Sequence, residues 1–350
     1  MTEEKQTKHR KFNVIIGNPP FENSDGGNGA SSTPLYNKFI EASEELQPDV
    51  ISYIIPSRWY TGGKGLDSFR NLMLTDIHLK KLCDYRTPED VFPNTNIRGG
   101  VCTFVWEKDF DNSKTGVKVV SIEHRKVISK MNRQLDGLGL HVFLRDNNAF
   151  SILKKVGIDK SKSFMQLVSV RQPFGLAGTF IRTDNFKATK DGLKEPVVVY
   201  GKGKKGYTER SLITKNSEWI DKIKVLTARA NNVGTELHDD NWNGKIANGG
   251  EVCTETYIVV GADLNLTKAS AQNIIHYMQT KFARYLLGLS KTGHDASRKT
   301  YRFVPIQDFT DKSDIDWTKS IPEIDQQLYD KYGLSDDEIA FIEKNVKEMK

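Results

Sequence analysis

Short apolar runs closed by proline, glycine or charged residues recur through the first third of the chain. They cover residues 12–17, 50–55, 79–85 and 101–106, and polar or glycine-rich turns separate them. Between the first three runs, apolar residues at three- and four-residue spacing predict amphipathic helices at about residues 35–46 and 66–74. Strands that alternate with helices in this way predict a parallel α/β sheet.

The pattern changes after residue 109. Shorter β-like runs at residues 117–122, 197–200, 223–226 and 257–260 alternate with polar turns, and helices are predicted at 147–155 and 267–287. Two further helices end the chain, with Gly333 as the stop of the first and Ser335-Asp336-Asp337-Glu338 as the capping box of the second. We therefore predict an α/β unit at 1–145, a mixed α+β unit at 146–307 and a helical pair at 308–350.

Composition excludes several classes of protein. No run of 18 apolar residues occurs, and the polar residues 1–11 do not resemble a signal peptide. The cysteines Cys83, Cys102 and Cys253 lie far apart without metal-site spacing, which is typical of reduced, buried thiols in a cytoplasmic protein. Neither an H-E-x-x-H nor a G-x-S-x-G motif occurs, so zinc-protease and serine-hydrolase chemistry have no support.

Charge is distributed unevenly along the chain. The formal net charge is +6, but residues 308–350 contain twelve Asp or Glu and six Lys or Arg, so they carry −6 and residues 1–307 carry +12. A basic body with an acidic tail favours a polyanion as partner, although an ordinary solvated basic surface would have the same composition.

The corner Asn18-Pro19-Pro20-Phe21 holds the most informative chemistry. Two prolines remove two backbone donors and fix two φ angles, so the preceding strand ends at Asn18. The Asn18 amide oxygen and the Pro19 carbonyl are two acceptors, which suit the two N–H donors of an exocyclic amine. The Phe21 ring provides a face on which a planar base can stack. A proline turn without any ligand is the alternative interpretation.

Further motifs extend this corner into a family resemblance. Ile55-Pro56-Ser57-Arg58-Trp59, Asp90-Val91-Phe92-Pro93 and Gly99-Gly100-Val101-Cys102 follow it in order. Together these segments resemble the adenine-N6 DNA methyltransferases of restriction–modification systems. The resemblance implies a partial doubly wound, Rossmann-like methyltransferase sheet followed by a target-recognition domain. It also implies S-adenosylmethionine as cofactor, no metal, double-stranded DNA as partner and a flipped target base.

Roles for the corner follow from the same resemblance. Asn18 and the Pro19 carbonyl would accept hydrogen bonds from the target amine, Pro20 would keep the corner rigid, and Phe21 would stack on the base. Methylation of cytosine N4 uses the same amine chemistry, and the motif with Phe at its fourth position does not separate the two targets.

The cofactor half of such an enzyme is not recognisable in this sequence. In the family arrangement it lies upstream of the Asn-Pro-Pro-Phe motif, yet only seventeen residues precede Asn18 and none supplies a Gly-rich turn. Two downstream turns, at residues 175–178 and 201–203, lack the expected strand and acidic residue. We expect a truncated or split methyltransferase whose missing half is supplied by a second polypeptide or is lost, and in which the strand before Asn18 becomes a sheet edge. The alternative is a non-catalytic DNA-binding or specificity module.

Basic residues on two turns are candidates for DNA phosphate contacts. Lysines interleave with tyrosines around residues 200–207, and a second polar, basic loop spans residues 291–299. The predicted contacts are Lys202, Lys204, Lys205, Lys291, Arg298 and Lys299. A solvated hairpin tip is the alternative for the first three. Residues of the types that read base edges also occur here, namely Arg171, Gln172, Arg229, Asn231 and Asn232.

Overall fold

The computed structural model describes residues 12–23, 33–60, 65–93, 97, 99–157, 159–231, 241–290 and 296–349. Contacts between Cα atoms divide the chain into two units, Met1–Ser151 and Ile152–Lys350. The finer division at residues 145 and 307 stays a prediction.

The first unit contains the strands and helices predicted from the apolar runs, together with two short strands and one longer strand that the pattern did not reveal. Its strands are β1 (Val14–Gly17), β2 (Glu22–Asn23), β3 (Thr33–Pro34), β4 (Val50–Pro56), β5 (Leu79–Tyr85), β6 (Val101–Glu107), β7 (Val117–Glu123) and β8 (Lys126–Arg133). Its helices are α1 (Tyr36–Glu45), α2 (Asp67–Thr75) and the first part of α3 (Asn147–Val156).

Six strands form one sheet in the order β1-β4-β6-β5-β7-β8. β1 runs parallel to β4 and β5 runs parallel to β7, whereas β6 lies antiparallel between β4 and β5, and β8 is antiparallel to β7. The prediction of a parallel sheet was therefore wrong, and the sheet is mixed. The described residues between β5 and β6 include no α-helix, and β6 pairs antiparallel with β5, so no parallel crossover forms between them.

The core of this unit joins alternate residues of the central strands to α1 and α2. Ile51 of β4, Phe104 of β6, Ile40 of α1 and Phe69 of α2 are all at most 2% exposed. β1 lies at one edge of the sheet, as expected, and within the described residues it pairs with β4 alone.

The second unit combines two small sheets with four helices within the residues described. The sheets have the orders β10-β9-β13 and β12-β11-β14. The strands are β9 (Pro196–Gly201), β10 (Lys204–Glu209), β11 (Lys224–Ala228), β12 (Lys245–Ala247), β13 (Glu251–Cys253) and β14 (Tyr257–Val260). The helices are α4 (Lys268–Gln279), α5 (Lys281–Gly288), α6 (Ile321–Lys331) and α7 (Asp336–Asn345).

The single helix predicted for residues 267–287 is two helices, α4 and α5. Thr280 interrupts the helical path with extended backbone, and its side chain accepts the Ala283 N–H to cap α5. The buried Asp325 carboxylate accepts the N–H groups of Lys281 and Phe282 at 2.9 and 2.8 Å. Two caps at one point stabilise a new helix start, which apolar periodicity alone does not reveal.

Two features of the described part of the chain concern membranes and metals. None of its helices is both long and apolar enough to cross a membrane. It also contains no cluster of three or more His, Cys, Asp or Glu side chains with the arrangement of a metal site.

Candidate functional site

The corner after β1 depends on a close contact between Gly17 and Tyr53. These residues are partners in the parallel pairing of β1 with β4, and a Cβ atom on Gly17 would lie 2.5 Å from the Tyr53 ring. Only glycine therefore fits immediately before Asn18. The ladder ends there, leaving Asn18 exposed, Pro19 buried and Pro20 exposed.

Segments that are distant in the sequence meet at one end of the sheet, where its parallel strands have their carboxyl ends. Because β1 and β4 are parallel, Asn18 and the turn after Pro56 lie at the same end of the sheet. β6 is antiparallel to β4, so its first residue, Val101, pairs with Pro56, and the Ser57 N–H donates to the Gly100 carbonyl at 3.0 Å. The carboxyl end of β5 pairs with Val101 as well. All the segments that carry the family resemblance therefore lie near this end of the sheet.

Phe21 is held beside a second aromatic ring at this end of the sheet. Its carbonyl accepts the Leu35 N–H at 3.2 Å, which fixes the backbone where the chain turns toward α1. The partly buried Phe21 and Phe92 rings meet edge to face, with centroids 5.9 Å apart and an interplanar angle of 78°. Sequence reasoning included Phe92 in a family motif but assigned it no role. The prolines next to Phe21 and Phe92 in the sequence do not indicate that the two rings contact each other.

A cavity of about 360 Å³ opens next to Phe21. Apolar walls come from Phe21, Pro34, Pro56 and Ile97, and Tyr36 also lines the cavity. The remaining lining residues are an ion pair, Arg58 and Glu22, whose charged atoms are 3.7 Å apart. Flat apolar walls with a few polar groups are typical of a small-molecule pocket.

A buried ion pair stabilises the turns at this end of the sheet. Asp84, at the end of β5, is fully buried, and the Arg145 guanidinium donates to both of its carboxylate oxygens at 2.7 and 2.8 Å. The Tyr60 hydroxyl donates to the same carboxylate at 3.1 Å, and Arg145 also donates to the Gly99 carbonyl at 2.7 Å. Gly100 has a φ of +89°, and a Cβ there would lie 2.5 Å from the Tyr85 carbonyl oxygen. This network fixes the turn into β6.

Sequence reasoning missed both Asp84 and Arg145. The only local signal was an acidic residue inside an otherwise apolar strand, and its partner is 61 residues away in the sequence.

In the second unit, Lys202, Lys204 and Lys205 lie at the tip of the β9–β10 hairpin and are exposed. Lys245, which no motif in the sequence indicated, extends this basic surface. Its ammonium group lies 3.4 Å from the ring centroid of Tyr200 and 4.6 Å from that of Tyr257. Burial lowers the Lys245 pKa. The hairpin therefore carries cations supported by aromatic faces.

The other predicted phosphate contacts, Lys291, Arg298 and Lys299, differ in their surroundings. The Arg298 guanidinium donates to the Met165 carbonyl and to Gln166 Oε1, both at 2.8 Å, whereas Lys299 is exposed. Lys291 lies outside the described residues. Arg298 therefore forms hydrogen bonds within the protein, and the DNA contact predicted for it would come in addition to these.

Three of the residues whose types can read base edges have hydrogen-bond partners within the protein. Arg171 and Gln172 donate to the Glu255 carboxylate at 2.7 and 3.1 Å, and the hydrogen bond from Arg171 helps to lower the Glu255 pKa to about 2. Asn231 is buried and donates to the Ala228 carbonyl, and Asn232 lies outside the described residues.

Neither downstream glycine turn fits an S-adenosylmethionine site. Gly175 has a φ of +79°, and the space beside it is filled by the Thr214 side chain. The Gly178 N–H already donates to Glu255 at 3.0 Å. Gly201 and Gly203 belong to a hairpin between antiparallel strands, whereas a cofactor turn connects a strand to a helix.

Comparisons with known proteins agree with the resemblance of the first unit. Residues 2–92 match the Eco57I restriction-modification methylase family. An "uncharacterized adenine-specific methylase" of Mycoplasma pneumoniae is 31% identical over 105 residues, which are 29% of this chain and 24% of that protein. The matched region therefore spans about a quarter of that relative.

Solved structures also resemble the chain, at low sequence identity. The type IIG restriction endonuclease BpuSI is 13% identical, with a TM-score of 0.39, over 95% of this chain and 53% of that one. The type IIL restriction-modification enzyme MmeI, solved in complex with DNA, is 8% identical, with a TM-score of 0.36, over 95% of this chain and 56% of that one.

Proposed function

Because residues 2–92 carry a segment of the Eco57I restriction-modification methylase family, we propose that the chain is the base-binding and DNA-recognition part of a site-specific DNA adenine-N6 methyltransferase. The observation that carries this proposal is the convergence of Asn18–Phe21 with the carboxyl ends of β4 and β5, which meet the first residue of β6 at the same end of the sheet. Ligands of open α/β sheets bind at the carboxyl ends of such strands.

The corner suits an exocyclic amine chemically. The exposed Asn18 side chain offers an amide oxygen, and the Pro19 carbonyl offers a second acceptor. Two hydrogen bonds from the amine orient its lone pair and stabilise the positive charge that develops when the nitrogen is methylated. Phe21 stacks on the extruded base.

In this family S-adenosylmethionine supplies the methyl group as an activated sulfonium. Neither of the two glycine turns considered for this cofactor fits it, because their space or backbone N–H groups are already used within the protein or lie in a hairpin. We therefore assign to this chain the capture and orientation of the target base. The cofactor site belongs to another part of the enzyme, either elsewhere in the same polypeptide or on a second one.

The edge strand β1 is the proposed place of attachment for that part. Val14 and Ile16 are 52% and 78% exposed, and their side chains lie on the same face of β1. A neighbouring strand in the cofactor-binding half would pair with the edge and cover these apolar groups.

Double-stranded DNA is the proposed partner of the second unit. Lys202, Lys204 and Lys205 are exposed on one hairpin and would neutralise phosphates, while the target sequence would be read by other side chains of this unit.

Reconstitution tests this proposal. The chain is combined with a candidate cofactor-binding half, and transfer of a radiolabelled methyl group to genomic DNA is measured. Asn18→Ala should abolish transfer without weakening DNA binding, whereas Asn71→Ala, an exposed asparagine on α2, should retain transfer. Turnover by the Asn18→Ala variant would refute the role of the corner. Micromolar binding of S-adenosylmethionine by the isolated chain would refute the assignment of the cofactor site to another part.

A non-catalytic DNA-binding or specificity module is the second candidate. It is favoured by the poor fit of both glycine turns to the cofactor. The neighbouring reading frames separate the two functions. A frame that encodes a strand, a Gly-rich turn and an acidic residue after the next strand favours the enzyme, and its absence favours the module.

A further inference from the structure

The turn between β7 and β8 has a backbone that an arginine disfavours. Glu123 lies opposite Lys126 in the antiparallel pairing of these strands, so His124 and Arg125 alone form the loop. Both residues have positive φ angles, 49° and 62°. Hairpin loops of this kind prefer Asn-Gly, Asp-Gly or Gly-Gly, because most side chains are strained at positive φ. Turn formation therefore does not explain the arginine, and strain of this kind is often kept for function.

The turn lies at the end of the sheet that carries the candidate site. β7 runs parallel to β5, and Ile122 near the end of β7 pairs with Tyr85 at the end of β5. Tyr85 also pairs with Val101, the first residue of β6. β7 therefore brings Arg125 to the same end of the sheet as Asn18, which follows β1.

A hydrogen bond holds the turn against the segment next to Phe21. The Asp90 carboxylate accepts the backbone N–H of Arg125 at 2.7 Å. Two residues further along the chain, the Phe92 ring contacts the Phe21 ring, with centroids 5.9 Å apart. One hydrogen bond, a short piece of chain and one ring contact thus connect the turn with the Asn-Pro-Pro-Phe corner.

The guanidinium of Arg125 is available to a ligand. The residue is exposed, and within the part of the chain that the structure describes its bond to Asp90 uses the backbone and its guanidinium has no partner. Two other arginines at this end of the sheet, Arg86 and Arg145, are each paired with a carboxylate of the protein. A planar guanidinium with several N–H donors suits the oxygens of a phosphate.

We propose that Arg125 binds a phosphate of the DNA backbone at the end of the sheet that carries the corner. The inference rests on the proposed function, in which residues 18–21 hold the extruded base. An extruded base stays attached to its strand, so the DNA backbone must pass along this end of the sheet. The contact neutralises one phosphate and carries no sequence information. The strained turn is then the cost of holding the cation at this place.

The chemistry of the turn offers variants that separate DNA binding from folding. His124→Asn combined with Arg125→Gly gives the Asn-Gly pair that such turns prefer, and it keeps the backbone N–H that Asp90 accepts. This double variant should melt at or above the wild-type temperature. Arg125→Asn, which also suits positive φ, tests the arginine alone, and Arg125→Lys keeps the charge. Lys114→Ala is the matched control, because this exposed lysine precedes β7 and lies at the opposite end of that strand.

Binding of a fluorescein-labelled DNA duplex to the full-length chain tests the proposal. Fluorescence anisotropy at several salt concentrations gives the affinity and its salt dependence. The double variant and Arg125→Asn should each bind about eightfold more weakly at about 0.1 M salt, and the slope of log K against log salt should decrease by about 0.9, as expected for one phosphate contact. Arg125→Lys and Lys114→Ala should keep the wild-type slope. A purely structural turn would change the melting temperature and leave the slope unchanged.

The outcomes separate this inference from the proposed function. If the double variant binds DNA with the wild-type affinity and slope, while alanines at Lys202, Lys204 and Lys205 weaken binding, the role of Arg125 is refuted and the DNA-binding function stands. If the wild-type chain does not bind the duplex, the DNA-binding function fails together with the role of Arg125.

Discussion

The Phe21 and Phe92 rings contact each other edge to face, with centroids 5.9 Å apart. A base stacked between two parallel rings needs roughly 7 Å between them, because carbon atoms in contact are roughly 3.5 Å apart. In this arrangement each ring therefore occupies part of the stacking space of the other. A base that enters on the side of Phe21 next to Phe92 requires the Phe92 ring to turn, and the turned ring can then stack on the base as well.

We expect Phe92→Leu to weaken the binding of 2′-deoxyadenosine, because stacking on an aromatic ring contributes about 1–3 kcal/mol per base. Ligand-observed NMR measures the change in Kd. Phe39→Leu, at a ring that is 42% exposed on α1, is the matched control and should leave the Kd unchanged. Tighter binding by Phe92→Leu would mean that the ring obstructs the base rather than stacking on it.

The buried pair of Asp84 and Arg145 should contribute strongly to stability. Arg145→Leu leaves a fully buried carboxylate without its charged partner, and breaking a pair of this kind costs about 3–5 kcal/mol. Urea unfolding followed by circular dichroism measures the loss. Lys80→Ala breaks the exposed pair with Glu107 and should change stability by less than about 1 kcal/mol. Equal effects of the two substitutions would contradict this assignment.

Asp325 should make the stability of the second unit depend on pH. Burial raises the pKa of this carboxyl from 3.8 to about 6, so the folded state holds the proton more tightly than the unfolded chain. Between about pH 4 and pH 6 this group therefore lowers the free energy of unfolding as the pH rises, by up to about 3 kcal/mol. The wild type minus Asp325→Asn difference should show this slope in urea unfolding. Asp330→Asn, at an exposed position of α6, should not.

Binding of DNA should become less dependent on salt when the hairpin lysines are removed. Each phosphate contact contributes about 0.9 to the slope of log K against log salt, so Lys202, Lys204 and Lys205 together account for a decrease of up to about 3. Fluorescence anisotropy of a duplex at several salt concentrations measures the slope for the triple alanine variant. The control is a second triple alanine variant that removes the same charge, at Lys312, Lys319 and Lys344. These lysines are exposed in the acidic tail. Equal slopes for both triple variants would exclude the hairpin as a phosphate-binding surface.

Covering the edge of β1 should be required for assembly with a cofactor-binding half. Ile16 is 78% exposed, so Ile16→Lys should cost the isolated chain little stability while blocking apolar contact at this edge. Co-purification measures assembly, and Val127→Lys, at a residue that is 62% exposed on the opposite edge strand β8, is the control. Normal assembly of the Ile16→Lys protein would place the partner elsewhere.

Local sequence predicted the buried strands well, because their apolar runs end abruptly at proline, glycine or charged residues. β4, β5 and β6 lie within one residue of their predicted ends. β8 was missed because most of its residues are exposed, which leaves no apolar alternation to detect. Strand direction was also missed, since it depends on pairing between segments that are distant in the sequence.

The candidate site was predictable only where its residues are consecutive in the sequence. Asn18–Phe21 could be recognised because its chemistry lies in consecutive residues. The contacts of Phe92 with Phe21 and of Arg145 with Asp84 connect residues 71 and 61 positions apart, and no local pattern encodes them. The hydrogen bond that holds the β7–β8 turn is likewise a property of packing, so it became visible only in three dimensions.

Gly17, Tyr53 and Ser43 form a chain of contacts that evolution can change only as a set. Gly17 leaves room for the Tyr53 ring, whose hydroxyl is bonded to Ser43 on α1. A homologue with alanine at position 17 should have a smaller side chain at 53, and its residue 43 then loses the hydrogen bond to position 53. Covariation among these three positions would therefore record how the Asn-Pro-Pro-Phe corner has been kept in register with the helix behind it.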